Sequence, residues 1–353
     1  MVPRRAKALY HNPKNGSAER SFGYNARVNR RDFMGVAAGT ALAGNAAPAA
    51  IPIIDTHIHL FDTNRSQGVP WPPKDNAVLY QPALPGRYRK LAVPLGIQGA
   101  IEVECSPWLE DNQWVLDIAA KDTIVVGTIG DLEPGKPDFR KSLERFRRNP
   151  LFRGIRYGNL WDRDYVGEAA KPQFIADLKA LAAAGLVLDT ANPTPSLISW
   201  VVRLTDRVPD LRLVVDHLAQ LEPPAEPAAR AAYQSDLREL GKRPQVYVKV
   251  SQVFRRVDGG VPEELSFYRP RLDEIWDIFG PDRLIYGSDW PNSDQWAPYP
   301  KVLNLVREYF TAKGPAAMEK YFWKNSHAAY GWHKRTAGQR ESLGPRMNRH
   351  GRP

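Results

Sequence analysis

The chain has 353 residues, 43% of them hydrophobic, a single cysteine and a net charge of +10. Residues 1–50 contribute +6 and residues 333–353 contribute +5, which leaves the body between them at −1. The body therefore offers no electrostatic case for nucleic-acid binding, and both basic ends read as solvated tails. One cysteine, Cys105, excludes an internal disulfide framework and any thiolate metal cage. It follows an apolar strand and reads as an inert buried thiol.

The N-terminal tail carries a processing pattern. Asn29-Arg30-Arg31-Asp32-Phe33-Met34-Gly35 is a twin-arginine motif, followed by the small apolar run Val36–Ala43 and the Ala47-Pro48-Ala49 cleavage pattern. An Ala/Gly-rich amphipathic helix with two surface arginines is the alternative. The run is shorter than the roughly 20 residues needed to span a bilayer. The expectation is a protein handed folded to the twin-arginine export machinery, periplasmic or secreted, with no stable membrane anchor.

From residue 51 to 332, short β-branched runs alternate with segments of helical period. The strand candidates are Ile53–His57, Gly99–Glu104, Ile124–Ile129, Gly154–Tyr157, Leu186–Thr190, Leu213–His217, Val246–Val250 and Leu284–Gly287. The intervening helices include Asp138–Asn149, Pro172–Ala184, a segment opening at Thr194-Pro195, Arg230–Gly241, Arg271–Phe279 and Lys301–Phe310. Ala316–Phe322 and Asn325–Tyr330 follow. Eight such units predict an α/β protein with a parallel sheet closed as a distorted (β/α)8 TIM barrel. No glycine-rich fingerprint follows a strand, so dinucleotide binding lacks support. About forty residues rich in Pro, Gly and aromatics separate the first two strands, including Val69-Pro70-Trp71-Pro72-Pro73 and Leu84-Pro85-Gly86-Arg87-Tyr88. This long first βα loop is expected to lie over the barrel mouth as a lid or substrate wall.

Polar residues at strand C-termini converge on one face of such a barrel. Here they are His57 and His59, Glu102 and Glu104, Asp131, Arg156 and Tyr157, Asp189 and Asn192, Asp216 and His217, Lys249 and Ser251, and Ser288-Asp289-Trp290. His57 and His59 are spaced i, i+2, which places both on one face of a strand. His57, His59, His217 and Asp289 could ligate one divalent metal ion, zinc being the natural choice for nitrogen and oxygen donors. Alternatively, Asp289 acts as general base on a free water, with the histidines and Arg156 stabilising the oxyanion and no metal required. Both readings deliver water to an sp2 carbon. Arg156, Tyr157, Glu104, Asn192 and Trp290 are the candidate substrate contacts, with Trp290 walling the mouth. Glu104 could instead neutralise a neighbouring cation, and Lys249 is expected to pair with Glu102. His327 lies in the last helical stretch, where capping or packing suits it better than ligation.

Asp55-Thr56-His57-Ile58-His59-Leu60, Arg153-Gly154-Ile155-Arg156, Val215-Asp216-His217-Leu218, Val248-Lys249-Val250-Ser251 and Gly287-Ser288-Asp289-Trp290-Pro291 together resemble the amidohydrolase superfamily. Within it, the ordered set looks most like the amidohydrolase-2 branch of sugar lactonases and pyrone dicarboxylate lactonase. The resemblance runs from Ile53 to about Trp332. It implies a distorted (β/α)8 barrel, hydrolysis of a lactone or related ester or amide, with a lactone of a sugar acid or aromatic catabolite as the leading expectation, and the family's histidines at His57, His59 and His217 with its base at Asp289. Metal-binding decarboxylases of the wider group carry a histidine after strand five, where this chain has Leu188-Asp189-Thr190-Ala191-Asn192. Tyr157 likewise stands where relatives often have a histidine. The rival functions are a zinc- or manganese-dependent decarboxylase and a non-catalytic exported barrel that binds a small ligand. Self-association is left open.

Overall fold

The computed structural model describes residues 51–343; the twin-arginine pattern lies outside the described residues. Eight parallel strands form one sheet in the order β1 to β8. They are β1 (Ile53–Ile58), β2 (Ile97–Val103), β3 (Val125–Gly130), β4 (Phe152–Gly158), β5 (Val187–Ala191), β6 (Leu213–Val215), β7 (Val246–Val250) and β8 (Leu284–Tyr286). The predicted barrel is present, and distorted. β6 and β8 span only three residues each, and the register slips between β1 and β2, β2 and β3, and β3 and β4.

Closure happens beyond the short β8. Asp289 N donates to His57 O at 2.8 Å and His59 N donates to Trp290 O at 2.8 Å. Gly287 makes this approach feasible, because a Cβ there would stand 2.8 Å from the His57 Cβ. Its role is to permit this close contact. Asp55 clasps the same seam. Its Oδ1 accepts from Ser288 N (2.8 Å), and its Oδ2 accepts from Tyr88 Oη (2.8 Å) and Tyr299 Oη (2.9 Å).

The strands alternate between two apolar layers, as their period of two demands. Ile155, Tyr157, Val246, Val248, Val250, Leu284 and Tyr286 face the surrounding helices. Ile54, Ile101, Val103, Val126, Val187, Val214 and Ile285 face inward. The helices begin and end largely where capping chemistry places them. Thr194 Oγ1 accepts from Leu197 N at 3.1 Å ahead of Pro195–Arg207, and the Glu226 carboxylate caps Pro227–Gly241.

Three elements depart from expectation. The first βα connection is not loop throughout: Pro85–Ala92 is a helix, because a proline at its first position costs no hydrogen bond. Asp111–Lys121 is a further helix that the pattern reading passed over. The helix before β8 starts at Leu265 rather than Arg271 and carries Pro270 inside it.

The described part of the C-terminal basic stretch, residues 333–343, is also more than a solvated tail. Thr336 and Gln339 form a capping box for Ala337–Ser342. Leu343, Trp332 and Tyr330 join the inward-facing cluster. The Arg335 guanidinium donates to Asp122 O (2.8 Å) and Val125 O (2.9 Å), where β3 begins. Charge-assisted bonds to partly buried carbonyls stabilise. Arg335→Ala is therefore expected to lower unfolding free energy by about 1–2 kcal/mol, read as a reduced urea midpoint at constant slope.

Candidate active site

Four residues just past the strand ends share an unusual backbone. Asn192 after β5, His217 after β6, Gln252 after β7 and Asp289 after β8 have φ of 46°, 55°, 48° and 62°. The left-handed region is costly for residues with a Cβ, and it persists where surrounding contacts impose it. In three of the four cases the turn delivers a side chain to one cluster.

Asp289 is the centre of that cluster and is fully buried. Its Oδ2 accepts from Asn292 Nδ2 at 2.7 Å and from the Gln252 amide. Its Oδ1 is left to three imidazoles: His59 Nε2 at 3.1 Å, His57 Nε2 at 3.4 Å and His217 Nε2 at 3.9 Å. The His57 ring centroid lies 4.9 Å from that of His59 and 4.4 Å from that of His217. The four predicted residues, drawn from β1, β6 and β8, meet at one point.

The ring states follow from their partners. His59 Nδ1 lies 2.7 Å from Val103 O, a carbonyl that can only accept, so Nδ1 carries a proton, and in the neutral ring Nε2 is a bare lone pair. Burial lowers the His217 imidazole to about 3. Burial and the nearby Lys249 ammonium push His57 well below its ordinary value. Burial raises the Asp289 carboxyl, while positive charge on His217 or His59, together with the Asn292 amide, lowers it by more.

A divalent metal fits this donor set on two observations. The His59 lone pair opposes the Asp289 Oδ1 lone pairs, and His57 Nε2 is buried with no hydrogen-bond partner. Two acceptors that face each other need a cation between them, either a proton or a metal ion. His57, His59 and Asp289 bring ligand atoms within 4.8 Å of one another, and neutral imidazoles with a carboxylate suit zinc. The Val103 carbonyl on His59 is the kind of outer partner that orients a metal-ligating ring.

The predicted substrate contacts divide. Arg156 points inward from β4, with Nε donating to Glu104 Oε1 at 3.1 Å. Its Nη1 has no hydrogen-bond partner among the described residues. Glu104 serves that arginine: its other oxygen accepts from Ser106 N (3.1 Å) and Trp161 Nε1 (3.2 Å). Tyr157, one residue on, faces away from the cluster and packs against Phe174 with ring centroids 5.3 Å apart. Asn192 ties itself to the Asn159 carbonyl at 3.0 Å and is exposed. Trp290 does not wall the mouth; its fully buried ring lies against Tyr88 and under the Arg87 guanidinium. The tryptophan that stands beside the cluster is Trp71, with its ring edge-on to His59 at 5.5 Å. Its loop is tied to the adjacent segment after β8 by Asn76 Nδ2 donating to Gln295 Oε1 at 3.0 Å. Tyr157 and Trp290 are thus packing residues that the cluster does not include, and Asn192 is bonded to the neighbouring loop.

Lys249 does not pair with Glu102. Its ammonium contacts Asp189 and Asp216 inside the barrel. Glu102 instead borders a cleft between β2, β3 and the helix Asp111–Lys121, beside Leu60, Trp71, Trp114 and Thr128. Cys105 borders the same cleft; its thiol is free and buried, as expected. His327 packs on Trp332, remote from the cluster. Glu102 makes no hydrogen bond, and burial pushes its carboxyl well above the usual range. An unpartnered buried acid is destabilising. Glu102→Met is expected to add about 1–3 kcal/mol of stability, seen as a higher urea midpoint.

The amidohydrolase family model matches residues 54–332. An L-fucono-1,5-lactonase from Burkholderia ambifaria is 30% identical over 242 residues, covering 68% of this chain and 80% of that protein. An L-fucono-1,5-lactonase from Burkholderia multivorans is 27% identical over 285 residues, covering 78% and 94%. A zinc-bound crystal structure of a Burkholderia multivorans amidohydrolase superposes with a TM-score of 0.71 at 25% identity, covering 80% of this chain and all of that one. With the match spanning the whole barrel and the histidine–aspartate cluster at its mouth, the chain belongs to the amidohydrolase family, in its amidohydrolase-2 branch.

Proposed function

We propose that the protein opens the ring of a sugar-acid lactone by adding water, with Asp289 as general base. The observation that carries this reading is the division of labour on Asp289. Two amides pin Oδ2, while Oδ1 faces three imidazole nitrogens. A carboxylate held in one rotamer, ionised and shielded from bulk solvent, is suited to take a proton from a water placed at Oδ1. The hydroxide adds to the lactone carbonyl carbon, and the oxyanion that forms is stabilised by the open Nη1 of Arg156. Collapse breaks the ring C–O bond, and the proton on Asp289 passes to the departing oxygen. Glu104 keeps Arg156 in place, and Trp71 screens the cluster from bulk water.

His57, His59, Asp289 and the adjacent His217 would hold a divalent ion, for which zinc is the proposed identity. Such an ion supplies Lewis acidity and lowers the pKa of a coordinated water toward neutrality. The names of the two lactonase relatives support the substrate class. The decarboxylase alternative finds less support, because the acid on β5, Asp189, is already paired with Lys249. The Asn29–Gly35 pattern supports a further proposal, export through the twin-arginine route.

The test is hydrolysis of L-fucono-1,5-lactone and a panel of other sugar lactones, with carbon dioxide release followed in parallel on aromatic carboxylates. Zinc content is measured before and after chelation. Lactone opening that falls at least tenfold on chelation and returns with zinc supports both parts; turnover that survives metal removal leaves the chemistry to the side chains. No opening of any lactone overturns the reading.

A further inference from the structure

Beneath the imidazoles lies a buried ionic group that the reaction above does not use. Lys249 Nζ stands 2.6 Å from Asp189 Oδ2, 3.0 Å from Asp216 Oδ1 and 3.3 Å from His57 Nδ1. Asp216 Oδ2 lies 3.6 Å from that same ring nitrogen. Tyr330 Oη completes the group by donating to Asp189 at 2.9 Å. The side chains of Lys249, Asp189, Asp216 and His57 are all sealed from solvent.

The two neighbours of His57 Nδ1 ask opposite things of it. An ammonium has protons and no lone pair, so it needs Nδ1 bare; an ionised carboxylate needs Nδ1–H. A neutral imidazole satisfies one of them, and Nε2 then takes the complementary form. The 3.3 Å contact with Lys249 is a long hydrogen bond, while 3.6 Å to Asp216 is outside that range. We infer that Lys249 and Asp216 together set the tautomer of His57, and so decide whether its Nε2 carries a proton beside Asp289 or is bare to ligate a metal. In the arrangement found, Lys249 donates to Nδ1, and the ring proton sits on Nε2, 3.4 Å from Asp289 Oδ1. Ligation through Nε2 needs the other tautomer, whose Nδ1–H turns to Asp216. The ring stays neutral in both.

Lys249 also closes a competing cation site. His57, Asp216 and His217 form a second group with ligand atoms within 4.8 Å, and the ammonium already touches two of the three. Lys249 and Asp216 are positioning residues, acting through His57. The inference rests on the proposed reading only in treating His57 Nε2 as part of the reacting centre.

The test uses the full chain labelled with 15N-histidine, metal-free and then titrated with zinc. Two-bond 1H–15N correlations report each tautomer directly. The metal-free wild type is expected to show His57 as Nε2–H, changing to Nδ1–H as zinc binds. Lys249→Met leaves Asp216 as the sole partner, so Nδ1–H appears without metal and zinc binds about tenfold tighter. Asp216→Asn retains Nε2–H and weakens zinc by about tenfold or more. Asp189→Asn removes a charge from the same ammonium without touching the ring, and leaves the tautomer unchanged. A metal-free wild type already in the Nδ1–H form overturns the inference, and that spectrum suffices even if a variant fails to fold. So does an Asp189→Asn protein that flips the ring as Lys249→Met does, since bare charge would then decide. Absence of lactone turnover would count against the proposed function and leave these spectra untouched.

Discussion

Asp289→Asn is expected to lower kcat on a lactone substrate by about 10²–10⁴, with KM changed only a few-fold. Asparagine keeps the shape of the side chain and tolerates the left-handed φ of 62° at this position. Gln252 and Asn292 both donate to Oδ2, so they select the amide oxygen there and turn the NH2 toward the imidazoles. Fold and pocket survive while the proton acceptor is gone. The measurement is steady-state hydrolysis of L-fucono-1,5-lactone beside a circular-dichroism spectrum. A folded variant that retains more than a tenth of wild-type turnover removes Asp289 as the base.

Asp55→Ala is expected to cost about 3–5 kcal/mol of stability, the range for breaking a buried charged network. One carboxylate serves Ser288 N, Tyr88 Oη and Tyr299 Oη, and His57 N lies 3.2 Å from its Oδ1. Alanine strands these donors in a dry seam, where each lost partner carries a desolvation penalty. Asp55→Asn keeps one carbonyl for Ser288 N and offers its NH2 to the two phenol oxygens, so it should cost less than half as much. Urea denaturation of the two variants checks the order. Because His57 and Ser288 flank the reacting centre, Asp55→Ala should also lose turnover in proportion to the disturbance of β1 against β8. Equal stability of alanine and asparagine variants would show that hydrogen bonding at Asp55 does not hold the seam.

The barrel was legible because apolar β-branched runs and turn residues recur eight times, and that period survives any local error. The imidazole–carboxylate cluster was legible because strand C-termini of a barrel share one rim. What failed was the direction of individual side chains. Arg156 and Tyr157 are neighbours on one strand, so only one could face inward, and Ile155 and Tyr157 share the outer layer. The same parity puts Glu102 behind the wall between inward-facing Ile101 and Val103, out of reach of Lys249. Trp290 and Trp71 could not be told apart by composition; the loop path alone brings Trp71 to His59. The packed stretch after Trp332 did carry a signal, Thr336 with Gln339 three residues on, but the local excess of Lys and Arg spoke for solvent.

The contact between His59 and Asp289 spans 230 residues of chain, and the hydrogen bonds that bring the two together are those that close the barrel. During synthesis the histidine strand emerges first and the aspartate is nearly the last part of the barrel to appear. A shortened product ending just before residue 289 therefore carries all three imidazoles and lacks the proposed base. Chemistry begins only once the cylinder is whole, so the protein has no partly active half to be scavenged or misdirected.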